Sequence, residues 1–322
     1  MSRLLCVCAM MAVSLLATSN VFADKHRLSD QHWLSSFGSS LDLGYDTFRG
    51  MTDVARPDNS GAKIGGNLGI PLPFEAYDLG VQLGASYGVY DWRGRLNTTT
   101  GNAIDDTMNQ TFVTAGLFHR ANYDCGERVS WGVVYDAMFG GNWGLVGDDD
   151  VNLSQWRGQI SYSLNCRNDI GLLGVLHDRD DIGGQAGGGD LNHYEAISHL
   201  DVFLEHRFNS GARGRVWLGI PEGSALDREG STIDLIFGAT FTMPLNNYWE
   251  AYGSFQYGNP SSSGNPFNGF GTDASSEIYS NVAVGVVFYP GGRCNCRNPL
   301  LPVANNSSFL VDNGRVAPPP GP

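Results

Sequence analysis

Five charged residues sit close together with alternating spacing. Asp201, Glu205 and Arg207 come first, and after a short turn Arg213 and Arg215 follow. Leu200, Val202, Leu204 and Phe208 take the opposite register, so an extended chain puts charge on one face and apolar side chains on the other. A second strand folded back alongside would set the arginines against the carboxylates as a charge ladder. Inside a closed sheet such a ladder either selects permeants at a constriction or braces a narrow lumen. The sequence leaves both open. Arg128, Arg157, Asp136 and Asp234 have the register to join the ladder, and His206 falls on the apolar one.

Other candidate chemistry is thinner. Asp148-Asp149-Asp150 and Asp178-Arg179-Asp180-Asp181 are acidic, but neither has the turn glycine and terminal glutamate of a calcium loop. They read as solvated loops, with no metal implied. There is no Gly-x-Ser-x-Gly elbow and no His-Glu-x-x-His, so no catalytic residue and no cofactor is assigned. His177 beside Asp178, Asp180 and Asp181 has residue types used by proteases, in a loop where such residues are common. The glycine run from Gly183 to Gly189 lacks the lysine of a phosphate cradle and reads as a flexible loop.

The elements that carry these residues show period-two alternation. From Tyr77 to Val89, Leu79, Val81, Leu83, Ala85 and Tyr87 face one way, and Gln82, Gly84, Ser86 and Gly88 the other. Ser231 to Met243 and Ile278 to Phe288 repeat the pattern. About twelve strands follow, centred near residues 43, 66, 84, 115, 135, 158, 173, 203, 216, 238, 253 and 284. The seventh and ninth are expected to be the shortest. Strands of about 9–11 residues suit a tilted membrane crossing better than a soluble sandwich.

Connections sharpen the choice. Gly50 to Ala62, Leu96 to Met108, Gly144 to Asp150, His177 to Ala196, Pro221 to Gly230 and Gly258 to Ser276 are the extended ones. Pro71 to Ala76, Asn122 to Glu127, Leu164 to Asn168, Asn209 to Gly211 and Pro244 to Asn247 are tighter, and the two sets alternate strictly. That rhythm predicts an all-β, antiparallel up-and-down transmembrane β-barrel with long loops outside and short turns on the periplasmic side. Pro71, Pro244 and Pro290 then close strands at one end, where a missing N–H costs no ladder bond. Trp131, Trp143, Trp156, Tyr248, Trp249, Tyr257 and Tyr289 lie near strand ends, as interfacial girdles require.

The remaining features set compartment and partners. Arg3, the apolar stretch Leu4 to Leu16 and Val21-Phe22-Ala23 read as a signal peptide, residues 1–23; the stretch falls short of the ~20 residues that span a bilayer. Residues 24–36 form a periplasmic leader, 37–289 the barrel and 290–322 a flexible periplasmic tail. A net charge of −13 argues against nucleic acid as a partner. Export leaves Cys125, Cys166, Cys294 and Cys296 in an oxidising compartment. Cys125 and Cys166 fall in adjacent short turns, where a disulfide is geometrically plausible.

The alternating strands, aromatic ends and closing Val286-Val287-Phe288-Tyr289 resemble the bacterial outer-membrane β-barrel, porin-like class. The resemblance implies outer-membrane lipid and the outer-membrane assembly machinery as partners. Members of that class end on the aromatic residue, whereas residues 290–322 follow it here. Pro290-Gly291-Gly292-Arg293, Pro299 to Val303 and Phe309 to Asp312 look similar to the ends of uncharacterised planctomycete exported proteins. A barrel phospholipase carries His-x-Ser-Asn-Gly; His206, Asn209, Ser210 and Gly211 occur here in the wrong order. Three functions stay open: a channel for small polar solutes, a closed barrel binding envelope polysaccharide or a protein partner, and a soluble exported β-rich protein. Glycine and serine on the lumen face favour a pore; a tail able to fold back favours occlusion.

Overall fold

The computed structural model describes residues 38–49, 59–72, 79–90, 95–96, 103–104, 107–119, 121, 126–143, 149–186, 190–221, 233–260, 279–291 and 300–312. Twelve strands form a closed antiparallel barrel, each pairing with the next in sequence. They are β1 (Gly38–Arg49), β2 (Asn59–Pro71), β3 (Leu79–Tyr90), β4 (Met108–His119), β5 (Val129–Trp143) and β6 (Asp149–Ser163). The second half is β7 (Asn168–Arg179), β8 (His199–Arg207), β9 (Arg213–Pro221), β10 (Ile233–Pro244), β11 (Trp249–Pro260) and β12 (Tyr279–Phe288). β12 closes on β1 in register from Leu41 opposite Phe288 to Arg49 opposite Ser280. No described residue is helical.

All twelve expected centres fall inside these strands. Four expectations change. The seventh strand, at 12 residues, is not among the shortest, because Asp178 and Arg179 continue it instead of starting a loop. The long–short rhythm is also less strict, since the connection from Trp143 to Asp149 is shorter than that from His119 to Val129. β6 reaches back to Asp149, taking two of the three aspartates expected in a loop. The seventh connection contains a hairpin, Asp181–Ala186 against Asp190–Ala196, so Gly183 and Gly184 are strand residues.

Burial is inverted relative to a water-soluble protein. Leu43, Leu83, Leu117, Leu172, Leu200, Val202, Val216, Leu218 and Val284 lie exposed on the outer face. Asp46, Gln82, Gln110, Asp136, Gln155, Arg157, Asp201, Glu250 and Asn281 are buried inside. Such an apolar outer belt belongs in hydrocarbon, and closure leaves no unpaired strand edge there. Tyr248 and Trp249 are exposed at a strand end, whereas Trp156, expected there too, sits at the middle of β6 and meets Tyr135 edge-on at 5.0 Å.

The largest departure lies after the last strand. Residues 300–312, expected in a solvated tail, run through the lumen from one end to the other. Leu300 sits beside Gly38 and Gly69 at the short-turn end. Val311 and Asp312 pair with Ala196 and Glu195 of the hairpin at the long-loop end. The physical reason is apolar content: Leu301, Ala304, Phe309 and Leu310 are almost fully buried. Ala304 and Phe309 share a cluster with Phe48, Tyr90, Met108, Phe112, Met138 and Leu153 at the long-loop end of the lumen, and Leu310 packs with Ile197, Ile236 and Tyr279.

Candidate functional site: a divided lumen

The tail segment lies against β1–β6 and β12, and side chains of the wall hold its backbone. Gln82 Nε2 donates to the Leu301 carbonyl, and Leu301 N–H donates back to Gln82 Oε1 at 3.0 Å. Asn67 Nδ2 donates to the same carbonyl at 3.0 Å, and Arg157 donates to that of Pro302 at 2.7 Å. Ala304 N–H donates to Thr114 Oγ1 at 2.9 Å, while Ser86 Oγ donates to the Ala304 carbonyl at 3.3 Å. Further along, Tyr279 Oη donates to the Asn306 carbonyl and Gln155 to that of Ser308 at 2.9 Å. Backbone groups out of water need such partners, so the polar inner face supplies what a neighbouring strand otherwise would.

Two fixed points anchor this half. Arg157 makes a two-pronged contact with Asp136 at 2.9 and 3.1 Å, and both residues are buried. Asn306 Nδ2 reaches Asp46 Oδ2 at 3.0 Å, Gln110 Oε1 at 2.9 Å and Tyr90 Oη at 3.2 Å. Glycine completes the fit: a side chain at Gly84 would start 2.5 Å from Val303 Cγ2. The inner space expected to favour a pore is therefore filled here by the tail.

The other half holds the charge ladder. Glu205 and Arg215 are directly opposed on β8 and β9, 2.8 Å apart. Arg215 also donates to Gln159 Oε1 at 2.7 Å and lies over the Phe203 ring at 4.2 Å. One pairing differs from the expected ladder, because Arg207 stands opposite Arg213. The like charges turn away from each other to acids on other strands: Arg207 to Asp169 of the adjacent β7 at 2.8 Å, and Arg213 across β10 to Glu250 of β11 at 3.0 Å. Asp201 does not join an arginine; it contacts His199 Nδ1 at 3.0 Å. A side chain at Gly219, opposite Asp201, would collide with its carboxylate.

Between ladder and tail lies a cavity of about 340 Å³, lined by Glu205, Arg213, Arg215, Glu250, Trp217 and Tyr252 on one side and Leu300 to Asn305 on the other. Lys63 borders it from β2, 5.5 Å from the Tyr252 ring. Of the other residues assigned inward, Asp136 and Arg157 are there, Arg128 lies exposed before β5, and the Asp234 side chain is outside the described residues. His206 keeps the outer register and contacts Asn168 at 2.7 Å. Asp178 accepts hydrogen bonds from Tyr135 at 2.8 Å and Ser154 at 2.9 Å. Cys166 is exposed in the turn after β6, and Cys125 lies outside the described residues.

Sequence reasoning missed Asp169, His199 and Glu250 in the ladder, and the amides Gln82, Gln110 and Gln155 opposite the tail. A usable signal existed: Leu300-Leu301-Pro302-Val303 and Phe309-Leu310-Val311 are too apolar for a segment left in water.

These features define a transmembrane β-barrel with an internal segment. The chain belongs to a family of unknown function (DUF6666), whose model matches residues 39–311, tail segment included. No curated protein matches it. Among solved structures it is similar to the KdgM porin in complex with disordered oligogalacturonate, at 11% identity over 77% of this chain and 98% of that one, TM-score 0.42. Outer membrane phospholipase A from Escherichia coli is similar at 10% identity over 77% and 95%, TM-score 0.41. A Pseudomonas aeruginosa FadL homologue gives 11% identity over 79% and 89%, TM-score 0.42.

Proposed function

We propose that this chain is an outer-membrane β-barrel that passes small polar solutes through one half of its lumen, between the β8–β11 ladder and its own C-terminal segment. The observation that carries the reading is the cavity of about 340 Å³, charged on one wall and bounded by the tail on the other. Its volume is at the low end of the ~300–1,000 Å³ typical of small-molecule clefts, so permeants would be small. The outward apolar belt supports a lipid setting, and the even strand count, with residues 1–23 read as a signal peptide, supports the outer membrane. Lipid and the barrel assembly machinery are the partners this reading implies.

A closed barrel that binds envelope polysaccharide or protein is the second reading, favoured by the burial of Leu301, Phe309 and Leu310 within the lumen. Planar-bilayer recording of the full chain separates the two, with a heat-shifted gel band as the check on folding. Small, steady conductance supports the channel. A heat-shifted protein that carries no current overturns it in favour of the closed barrel.

A further inference from the structure

We infer that the inner wall of β1–β6 and β12 is a peptide-binding site, and that residues 300–312 are its resident, exchangeable ligand. The ligand class is a polypeptide uncharged but for its last residue, open over residues 300–305 and turned at Asn306–Ser308, with a carboxamide side chain at the turn. Recognition is directed at backbone. The wall's side chains bind the N–H and carbonyl of Leu301 and of Ala304, and the carbonyls of Pro302, Asn306 and Ser308. That is how strand-addition sites work: main-chain hydrogen bonds supply affinity and a few pockets supply choice. Here the wall contributes side-chain amides, hydroxyls and one guanidinium instead of a free strand edge.

Selectivity follows from three features. Asn306 places one amide nitrogen within reach of Asp46, Gln110 and Tyr90, a buried cluster that suits an N–H donor and would repel a carboxylate. Phe309 occupies an apolar pocket beside Phe112, ring centroids 5.9 Å apart. Gly84 admits the branched side chain of Val303. From Leu300 to Val311 the segment carries no charge, and the guanidinium that holds it, Arg157, is already neutralised by Asp136. A segment held by wall side chains, with no strand ladder to the barrel wall among the described residues, can be replaced by the same residues of a second copy of this chain.

Asn306→Asp in the full chain sets a carboxylate against Asp46 and should unseat the segment. The probe is a labelled synthetic peptide with the sequence of residues 300–312. The folded, heat-shifted variant should bind it saturably, while the wild type, already occupied, should bind at least ~10-fold less. Adding Asp46→Asn should reseat the chain's own segment and abolish peptide binding. A folded Asn306→Asp protein that ignores the peptide, or binds a scrambled one equally well, overturns the inference. Should the variant not fold, a chain ending at Gly291 takes the same test. If neither folds, the segment is core and not ligand, which also overturns it. Binding is read without current, so a barrel that takes the peptide yet never conducts sinks the channel reading alone.

Discussion

The carboxamide of Gln82 engages both backbone polar atoms of Leu301, although 219 residues separate them. Its oxygen accepts the N–H and its nitrogen donates to the carbonyl, so one side chain does for Leu301 what a neighbouring strand does elsewhere in the barrel. Gln82 and Leu301 are both buried, so neither set of groups has water as an alternative. The geometry makes the C-terminal segment part of the lumen wall.

Replacing Gln82 with Leu keeps the size but removes both hydrogen bonds. The Leu301 N–H then loses its partner, while Asn67 still serves the carbonyl. An unsatisfied buried donor costs about 1–3 kcal/mol, against the 0.5–1.5 of a net hydrogen bond. Local release of residues 300–312 should become about tenfold more frequent, at 1.4 kcal/mol per decade. Protease cleavage of the segment in intact, heat-shifted protein measures it. An unchanged cleavage rate would remove Gln82 from the account.

Alternation made the barrel legible because a strand's two faces meet different media, lipid outside and polar lumen inside. Leu200, Val202 and Leu204 against Asp201 and Glu205 show this directly, and the observed burial follows the predicted register residue by residue. The partners of those charges were not legible. Arg207 meets Asp169 on the adjacent β7, whereas Arg213 reaches across β10 to Glu250 on β11. Local spacing carries no trace of that. The tail was misread for a related reason: its partners, Gln82, Thr114, Arg157 and Ala196 among them, lie on elements more than a hundred residues away, of which its own spacing gives no sign.

The ladder neutralises itself, so the intact chain should discriminate weakly between ions. Arg215→Ala leaves Glu205 facing the cavity without its closest cation. A unit charge about 4 Å from a permeant is worth ~1 kcal/mol in water, so permeability should tilt about fivefold toward cations. Glu205→Gln should tilt it toward anions. Reversal potentials across a KCl gradient read both changes, and matching shifts in one direction would place the conducting path away from β8 and β9.

Arg157 and Asp136 should respond differently, because they brace the wall. Arg157→Met leaves the Asp136 carboxylate buried with only Thr114 and Gln155 as donors. Breaking a buried pair on one side costs about 3–5 kcal/mol, most of it the uncompensated charge. The Arg157→Met variant should therefore unfold at clearly lower urea in lipid vesicles. Adding Asp136→Leu should recover part of the loss. A single variant as stable as the wild type would mean that water reaches Asp136.

The membrane assignment is testable on the outer face alone. Val284 is 54% exposed near the midpoint of β12, while its neighbour Ala283 points into the lumen at 2%. If hydrocarbon surrounds the barrel, Val284→Arg must bring a charge into lipid, at about 2–4 kcal/mol near the midplane. In a water-soluble barrel the same change would cost almost nothing, because an exposed arginine stays hydrated. Urea unfolding in vesicles should show the loss for Val284→Arg, and a smaller one for arginine at Leu245, exposed in the turn after β10. Equal stability for the two variants would place the outer face in water and overturn the barrel's setting in lipid.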